Sequence, residues 1–436
     1  MTTTYDPNHP SYLADADLRE EMTRVFDLCH GCRLCFKYCT SFPTLFDFID
    51  QLEDQDAGKL TQAQQDQVVD ECFQCKLCYV NCPYVPGQHE WALDFPRLML
   101  RANAVRHEDH QTSIGRRTTD SLLGRTDLMG KIGTQFSGIV NPLIAKPGSI
   151  KRKLMAKVTG IASQRVLPPY AKTRFSTWFK KRVRIRFENR QGAVGIFPTC
   201  FVEYQNPSIG HDAVRVYERN GIECSLIDGA RCCGAPSLHA GDIERFRDQA
   251  EHNVKALAAV VRQGRDIVVL QPTCSYVLKK DYPDYVEGSD AELVSAHTYD
   301  VAEYLMNIHK GENTSLDVGF FGDIPESITY HTPCHLRAQN IGLKSRDLMK
   351  LTGAKVLLAQ HCSGVDGMWG LRAENYEIAS EVGAKLIDEV QRLGGEVVAG
   401  DCQLANGAIV EGTGQVPVHP IQIIARAYGI AEEPNE

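Results

Sequence analysis

The sequence predicts a multidomain α+β protein, in which a helical N-terminal domain precedes two tandem α/β repeats with parallel sheets. In the first 100 residues, two identically spaced cysteine runs lie among amphipathic windows with few β-branched residues. From about Ala193 onward, short apolar runs that end in Gly, Pro or Cys alternate with helical windows, and this block occurs twice. The expected domains are 1–100, 101–190 (a basic amphipathic linker), 191–315 and 316–436.

The composition is that of an ordinary globular protein. The 436 residues include 47 lysines and arginines against 55 aspartates and glutamates, a net charge of −8, and 43% are hydrophobic. These values exclude intrinsic disorder, collagen and coiled coils. No basic-then-apolar leader and no window of about 18 apolar residues occurs, so we expect a cytoplasmic, reducing location. There, 16 cysteines are expected to bind metal or carry out redox chemistry.

The N-terminal cysteines have the CxxCxxCxxxC spacing of bacterial ferredoxins. In that pattern three thiolates bind one [4Fe–4S] cluster, and the fourth points away and binds the other cluster. Zinc knuckles and buried thiols are the alternatives, but zinc sites use paired cysteines rather than a triplet plus one. The second run is followed by Pro83, as in ferredoxins, whereas Thr40 follows the first. We expect two clusters, one held by Cys29, Cys32, Cys35 and Cys82, and the other by Cys72, Cys75, Cys78 and Cys39.

The windows around these runs, Leu18–Leu28 and Leu60–Val69, predict a helical two-cluster domain of ferredoxin type rather than an open hairpin fold. Two redox centres held close together form an arrangement for passing single electrons in sequence. We therefore expect the N-terminal domain to act as an electron wire.

The C-terminal half contains an internal repeat whose period is marked by cysteines. AVGIFPTC matches SITYHTPC, GIECSLIDGARCCG matches GAKVLLAQHCSG, and IVVLQPTC matches EVVAGDC. Because the carboxyl ends of parallel strands lie along one edge of a sheet, these cysteines are expected to converge there. Buried structural thiols are the alternative. The predicted sites consist of Cys200, Cys232, Cys233 and Cys274 in the first repeat and Cys334, Cys362 and Cys402 in the second.

Together these motifs resemble the CCG-domain iron–sulfur proteins. That family includes the B and D subunits of heterodisulfide reductases, glycolate and lactate oxidation proteins, and the C subunits of anaerobic glycerol-3-phosphate dehydrogenases. The resemblance implies a further iron–sulfur centre at the CCG cysteines. It rests on the ferredoxin runs, Arg125–Gly130 (RTDLMG), Cys200-Phe201-Val202, Cys232-Cys233-Gly234, His331–His335, and the glycines Gly364, Gly367 and Gly370.

This sequence keeps only part of the cysteine set that the resemblance implies. Val277 replaces the last cysteine in the first repeat, and Ser363 and Ala405 replace two in the second. The remaining thiols of the first repeat can still hold a third iron–sulfur centre. In the second repeat, zinc, a cluster with an open iron site and an empty site all stay open. A further ligand there would come from His335, His361, Asp366 or Asp401.

A strongly basic segment, residues 146–190, joins the two halves. It carries 14 lysines and arginines and one acid, Glu188. Apolar side chains at helical spacing, aromatics and clustered cations together predict binding to an anionic membrane surface. Docking to an acidic protein partner and a plain solvated surface remain open, and no nucleic-acid-binding motif accompanies the segment. The apolar side chains are Leu154, Val158 and Ile161, and the aromatic ones are Phe175, Trp178 and Phe179.

No dinucleotide-binding, phosphate-loop or nucleophile-elbow motif occurs, so no organic substrate pocket is predicted. The resemblance implies an iron–sulfur subunit that accepts electrons from a separate flavin-dependent dehydrogenase of glycerol-3-phosphate or 2-hydroxy acid type. It would relay them towards membrane quinone from a peripheral position on the inner face of the cell membrane. A second hypothesis is that the CCG half itself reduces a disulfide or small thiol compound, and a third is an oxidant sensor. The substituted cysteines argue against the second.

Overall fold

The structure, a computed structural model, describes residues 5–109, 114–365 and 367–430. The N-terminal helices are α1 (Asp15–Cys32), α2 (Ser41–Asp50), α3 (Gln62–Asp70), α4 (Leu77–Asn81) and α5 (Phe95–Glu108). Helix α1 covers the first predicted window, and α3 covers the second from Gln62 onward. Phe42 and Phe95 pack with their ring centroids 4.6 Å apart, in a core that α1, α2 and α5 share.

Local capping signals explain where two of these helices begin. At α3 the Thr61 hydroxyl accepts the Gln64 backbone N–H, and the Gln64 side chain accepts the Thr61 backbone N–H, which is a capping box. At α5 the Asp94 carboxylate accepts the Arg97 backbone N–H at 2.9 Å. Short-range chemistry thus positions α3 and α5, whose intervening loop carries the second cysteine run.

The segment between the two halves is mostly helical. Its helices are α6 (Ile114–Gly124), α7 (Thr126–Gln135), α8 (Ser137–Ile144), α9 (Ile150–Thr159) and α10 (Phe175–Lys181). Across the residues that the structure describes, every helix is too short or too polar to cross a bilayer.

The interfacial role predicted for the aromatics of this segment is wrong. Phe175 and Phe179 of α10 are 0% and 4% exposed and lie in the core of the first repeat. Trp178 stacks on His211 with 4.0 Å between ring centroids, and Ile161 is buried as well. Because α10 packs against the first repeat, its aromatic face closes a protein core and is not available to a membrane.

The first repeat is a parallel sheet with strand order β2-β1-β3-β4, and helices cover it. Strand β1 is buried on both faces, as expected of a central parallel strand. Its elements are β1 (Gly192–Phe197), α11 (Cys200–Tyr204), α12 (Pro207–Arg219), β2 (Ile222–Leu226), α13 (Ala235–His239), α14 (Ile243–Arg262), β3 (Asp266–Val269), α15 (Pro272–Tyr276), α16 (Tyr282–Tyr285), α17 (Ser289–Ala296), β4 (Thr298–Asp300) and α18 (Val301–Lys310).

The second repeat has the same arrangement, with parallel strand order β6-β5-β7. The predicted internal duplication of a parallel α/β unit is therefore confirmed, and β4 is an addition to the first copy. Its elements are β5 (Ser327–His331), α19 (Cys334–Ala338), α20 (Lys344–Lys350), β6 (Lys355–Ala359), α21 (Tyr376–Leu393), β7 (Val397–Gly400), α22 (Gln403–Thr413) and α23 (Pro420–Ala427).

Candidate functional site

The first cysteine run is grouped with a cysteine from the second. Cys29 and Cys32 lie in the last turn of α1, Cys35 follows that helix, and Cys82 directly follows α4. Burial raises the pKa of Cys29, and the neighbouring Cys35, Cys82 and Cys32 thiols raise it further. Burial, with Cys82 and Cys32 nearby, raises the pKa of Cys35 to about 12. The structure thus places Cys82 beside the first run, and ligation of a cluster by this set stays a prediction.

The other four N-terminal cysteines line one small cavity. Cys39 comes from the first run, and Cys72, Cys75 and Cys78 come from the second. Burial raises the pKa of Cys78, and so do the neighbouring thiols of Cys75 and Cys39. Closely spaced thiolates repel one another, and positively charged iron ions bound between them would offset that repulsion. The four sulfurs are the donors that a [4Fe–4S] cluster uses, and ligation by this set stays a prediction.

Left-handed residues shape both loops. Arg33 and Lys76 occupy the same position after the second cysteine of their runs, with φ of 54° and 61°. Gln74 adds a second left-handed turn before Cys75, with φ of 56°. Non-glycine residues rarely adopt this conformation. Three of them in two short loops are a feature often found at functional sites. The bends allow closely spaced cysteines to share one site.

The two N-terminal sets differ sharply in exposure. Leu34 of the first run is 58% exposed, whereas Leu77, at the same position in the second run, is 6% exposed. Lys76 is also buried, at 3%, while its counterpart Arg33 is exposed. The first set therefore lies near the surface, and the second lies inside the molecule.

What covers the second set is the C-terminal half of the chain. Cys75 belongs to an apolar cluster against which Cys334 and Cys362 of the second repeat pack. Phe73 and Trp369 lie 5.1 Å apart in the same contact. The second N-terminal set therefore adjoins the predicted site of the second repeat.

The predicted cysteines of the first repeat all meet at the carboxyl ends of its strands. Cys200 begins α11 after β1, Cys232 and Cys233 follow β2, and Cys274 lies in α15 after β3. The four thiols are close neighbours in the order Cys200, Cys232, Cys233 and Cys274. The adjoining Cys200 and Cys233 side chains hold the pKa of Cys232 well below its usual value. Four adjoining thiols are donors of the kind that an iron–sulfur centre uses.

Two polar side chains that sequence reasoning did not assign hold this site in shape. The Asp127 carboxylate accepts the Cys232 backbone N–H at 2.7 Å. The Asn253 amide accepts the Arg231 backbone N–H at 2.8 Å and donates to the Cys232 carbonyl at 3.2 Å. Asp127 lies in the RTDLMG segment that was noted only as a motif, and nothing in the sequence distinguishes Asn253 from other polar residues of α14.

The three cysteines predicted for the second repeat line one cavity together with histidines. Cys334 begins α19, Cys362 follows β6, and Cys402 directly precedes α22. The Gly364 backbone N–H donates to the Cys362 sulfur, and the Gln271 amide, from the first repeat, donates to the Cys402 sulfur, each at 3.4 Å. Such bonds stabilise thiolates.

Two of the further ligands expected for this site have other partners. The His335 ring bonds the Thr273 hydroxyl at 3.0 Å and the Gln74 carbonyl at 3.1 Å, so both its nitrogens are used. The Asp401 carboxylate accepts the hydroxyls of Tyr330 and Ser345 in the core. These bonds argue against His335 and Asp401 as the further ligand, whose identity stays a prediction. His361 lines the cavity, and Asp366 lies outside the described residues.

Within the described parts of the chain, no three His, Cys, Asp or Glu side chains lie close enough together to hold a single metal ion. The three thiols that line the cavity of the second repeat are donors of the kind that iron–sulfur centres use.

The comparison with known families agrees with the duplication. Residues 194–279 and 328–405 match the family described as Cysteine-rich domain, or CCG. The chain carries two CCG domains. The matched segments include every cysteine assigned above to the two repeats, and they contain the three neighbouring strands from whose ends those cysteines project in each sheet.

The chain is also similar, over 48–70% of its length, to three named proteins. The CCG-containing chain is 29% identical to the C subunit of the anaerobic glycerol-3-phosphate dehydrogenase of Escherichia coli K12, over 70% of this chain and 76% of the relative. It is 28% identical to the B subunit of the fumarate reductase (CoM/CoB) of Methanothermobacter marburgensis, over 55% and 47%. It is 24% identical to lactate utilization protein A of Bacillus pumilus, over 48% and 87%.

Proposed function

We propose that this chain is the iron–sulfur subunit of an oxidoreductase complex. It accepts electrons from a flavin-dependent dehydrogenase of glycerol-3-phosphate or 2-hydroxy acid type and relays them towards membrane quinone. The observation that carries the proposal is the packing of Cys75 against Cys334 and Cys362, which joins the N-terminal sets to the CCG half. The relatives named as dehydrogenase and fumarate reductase subunits support the same class.

The cysteine sets provide the ligands for this relay. Iron–sulfur clusters supply one-electron redox chemistry when they are bound. Each N-terminal set offers four thiols for one [4Fe–4S] cluster, the four thiols of the first CCG domain offer a third site, and the second CCG domain offers three more. Because the loop of the first N-terminal set is the more exposed of the two, electrons enter there and pass inwards through the second set.

The entry point has an exposed apolar surface. Leu34 and Phe36 flank Cys35 and are 58% and 61% exposed, and Val80 nearby is 37% exposed. Large apolar side chains beside a predicted redox site suit a docking partner rather than water. We assign this surface to the electron-donating dehydrogenase.

A second apolar surface lies on α7, α8 and α9. Ile139, Ile150, Leu154 and Val158 are each 66% exposed or more, and exposed lysines lie between them on α9. An apolar face bordered by cations suits the interface of an anionic membrane. This surface replaces the aromatics of α10 in the proposed peripheral attachment. Its members are Leu128, Ile132, Phe136, Ile139, Leu143, Ile150, Leu154 and Val158.

Re-oxidation kinetics of the reduced chain test the relay. Protein purified without oxygen and reduced with dithionite is mixed with a water-soluble quinone, and the rate is followed by absorbance. We expect Cys362→Ser to slow re-oxidation at least about tenfold, because it removes a thiol that adjoins the second N-terminal set. Cys224→Ser is the control, since Cys224 is buried within β2 and belongs to none of the sets. Re-oxidation of Cys362→Ser at the wild-type rate would show that electrons leave without the second CCG domain.

A second candidate function is reduction of a disulfide at the second CCG domain. The cavity that its three cysteines line, with histidines nearby, is the observation that favours it. The same experiment with a small disulfide in place of the quinone separates the two functions. Rapid consumption of the disulfide, with slow reaction of the quinone, would favour the second function over the relay.

A further inference from the structure

One buried histidine of the second CCG domain has no role in the ligand sets described so far. His331 is the last residue of β5, three residues before Cys334, and is 3% exposed. Its ring lines the same cavity as Cys334, Cys362 and Cys402. An imidazole and three thiols therefore surround one space.

Only one of the two ring nitrogens of His331 has a hydrogen-bond partner among the described residues. Its Nε2 donates to the carbonyl of His361 at 3.2 Å, so this nitrogen carries the proton. Its Nδ1 is buried and has no hydrogen-bond partner among the residues that the structure describes. A buried polar atom without a partner is costly, and folded proteins rarely retain one without a reason.

This bonding pattern is the one that metal-binding histidines show. Such a histidine donates one ring N–H to a carbonyl or carboxylate, which fixes its tautomer, and the other nitrogen presents its lone pair to the metal. The carbonyl of His361 has that orienting role for His331. His335, which also lines the cavity, differs because both its nitrogens already have partners.

We propose that His331 Nδ1 is the fourth ligand of an iron–sulfur centre that Cys334, Cys362 and Cys402 hold in the second CCG domain. The imidazole takes the place of a cysteine that is absent at Ser363 and Ala405. The inference rests on the proposed function only in requiring a centre at this site.

Imidazole ligation has a consequence for the relay. A neutral imidazole in place of an anionic thiolate raises the reduction potential of a cluster, as in Rieske centres. The centre would therefore accept electrons readily from the neighbouring N-terminal set, whose ligands are all thiols. The natural replacement of cysteine by Ser363 and Ala405 would then change the reduction potential of this site rather than remove the site.

Nitrogen hyperfine spectroscopy tests the ligand directly. The full chain is purified without oxygen, with histidine as the only ¹⁵N-labelled residue, and titrated with dithionite until the additional centre is paramagnetic. We expect a strong histidine nitrogen coupling in wild type and its loss in His331→Ala and His331→Cys. His331→Cys is expected to keep the wild-type iron content, because a thiolate can ligate iron at that position. It therefore provides the test if the alanine variant does not fold.

The matched control is His361→Gln. His361 also lines the cavity, its side chain is exposed, and the bond to His331 uses its main-chain carbonyl, which the substitution leaves in place. We expect the nitrogen coupling to persist in this variant. A centre whose signal is lost in Cys362→Ser but that shows no histidine coupling, or a coupling that survives in His331→Cys, would overturn the ligand assignment and leave the relay standing. The absence of any centre beyond the two N-terminal clusters would overturn both.

Discussion

Gly234, directly after Cys232 and Cys233, fixes the turn that aims this cysteine pair. Its φ is +90°, and a Cβ added there would lie 2.6 Å from the Phe246 ring. An alanine would therefore meet both an unfavourable backbone conformation and a packed aromatic side chain. The glycine of the Cys-Cys-Gly triplet is thus explained by conformation and by space.

We expect Gly234→Ala to lower the free energy of unfolding by about 3 kcal/mol, from left-handed strain together with overpacking. The control is Gly229→Ala, because Gly229 has φ of +79° but nothing within 4 Å of the added Cβ. That variant is expected to lose only about 1 kcal/mol. Urea unfolding followed by circular dichroism measures both, and equal losses would contradict the role given to Phe246.

Asp127 places a carboxylate against the first CCG site. It accepts the Cys232 N–H, and a negative charge there opposes the arrival of an electron. We expect Asp127→Asn to raise the midpoint potential of the first-repeat centre by roughly 50 mV, close to a tenfold change in the one-electron equilibrium constant. Asp228→Asn is the control, since that side chain is 72% exposed. A redox titration monitored by paramagnetic resonance checks the shift, and the same value for both variants would refute it.

Residues that bear the chemistry were predictable because cysteine spacing appears directly in the sequence. Their supports were not, because Asn253 reaches the cysteine turn only through the packing of α14. The partners of His335, one of the four candidate ligands, were equally unpredictable. Its bonds to Thr273 and Gln74 come from other domains, and no local pattern reveals them.

At the scale of elements, the parallel strands were predictable and the use of the apolar helix faces was not. Helical spacing of apolar residues shows that one face of a helix is apolar. A protein core and a membrane interface both bind such a face, so the spacing does not distinguish them. Burial separates them, since Phe175 is 0% exposed whereas Leu154 is 66% exposed. The membrane-binding surface that we propose therefore lies on α7–α9.

We expect the double substitution Ile150→Ser, Leu154→Ser to weaken binding to vesicles that contain anionic lipid at least tenfold. Burying one such side chain contributes about 1.5–3 kcal/mol, and 1.4 kcal/mol is a factor of ten. Val416→Ser is the control, because Val416 is 76% exposed and lies after α22 in the second repeat, outside the set of apolar side chains assigned to this surface. Co-sedimentation measures binding, and unchanged binding of the double variant would remove this surface from the proposal.

The loop of the first cysteine run makes a corresponding prediction. We expect Leu34→Ser, Phe36→Ser to raise the dissociation constant for the donor dehydrogenase at least tenfold, because the docking surface loses its apolar side chains. Phe321→Ser serves as the comparison, since Phe321 is 71% exposed in the second half of the chain. Pull-down titration with the purified donor measures the dissociation constant. A similar loss of affinity in both variants would show that the surface is assigned incorrectly.

At the scale of the whole molecule, the two cysteine runs differ in exposure, and neither run shows this difference by itself. The runs have the same spacing, yet Leu34 is exposed and Leu77 is buried because the second repeat covers the second run. That contact joins residues far apart in sequence, so repeat order and motif spacing could not predict it. It is the contact on which the proposed electron path depends.

Iron and acid-labile sulfide content, measured with paramagnetic resonance on protein purified without oxygen, tests most directly whether the CCG half takes part in this path. Two cubane clusters account for about eight irons. We expect more than about eight irons per chain. We also expect a further paramagnetic signal that is lost in Cys362→Ala, while the two N-terminal signals remain. About eight irons with only two coupled cubane signals would contradict it and reduce the CCG half to a docking scaffold.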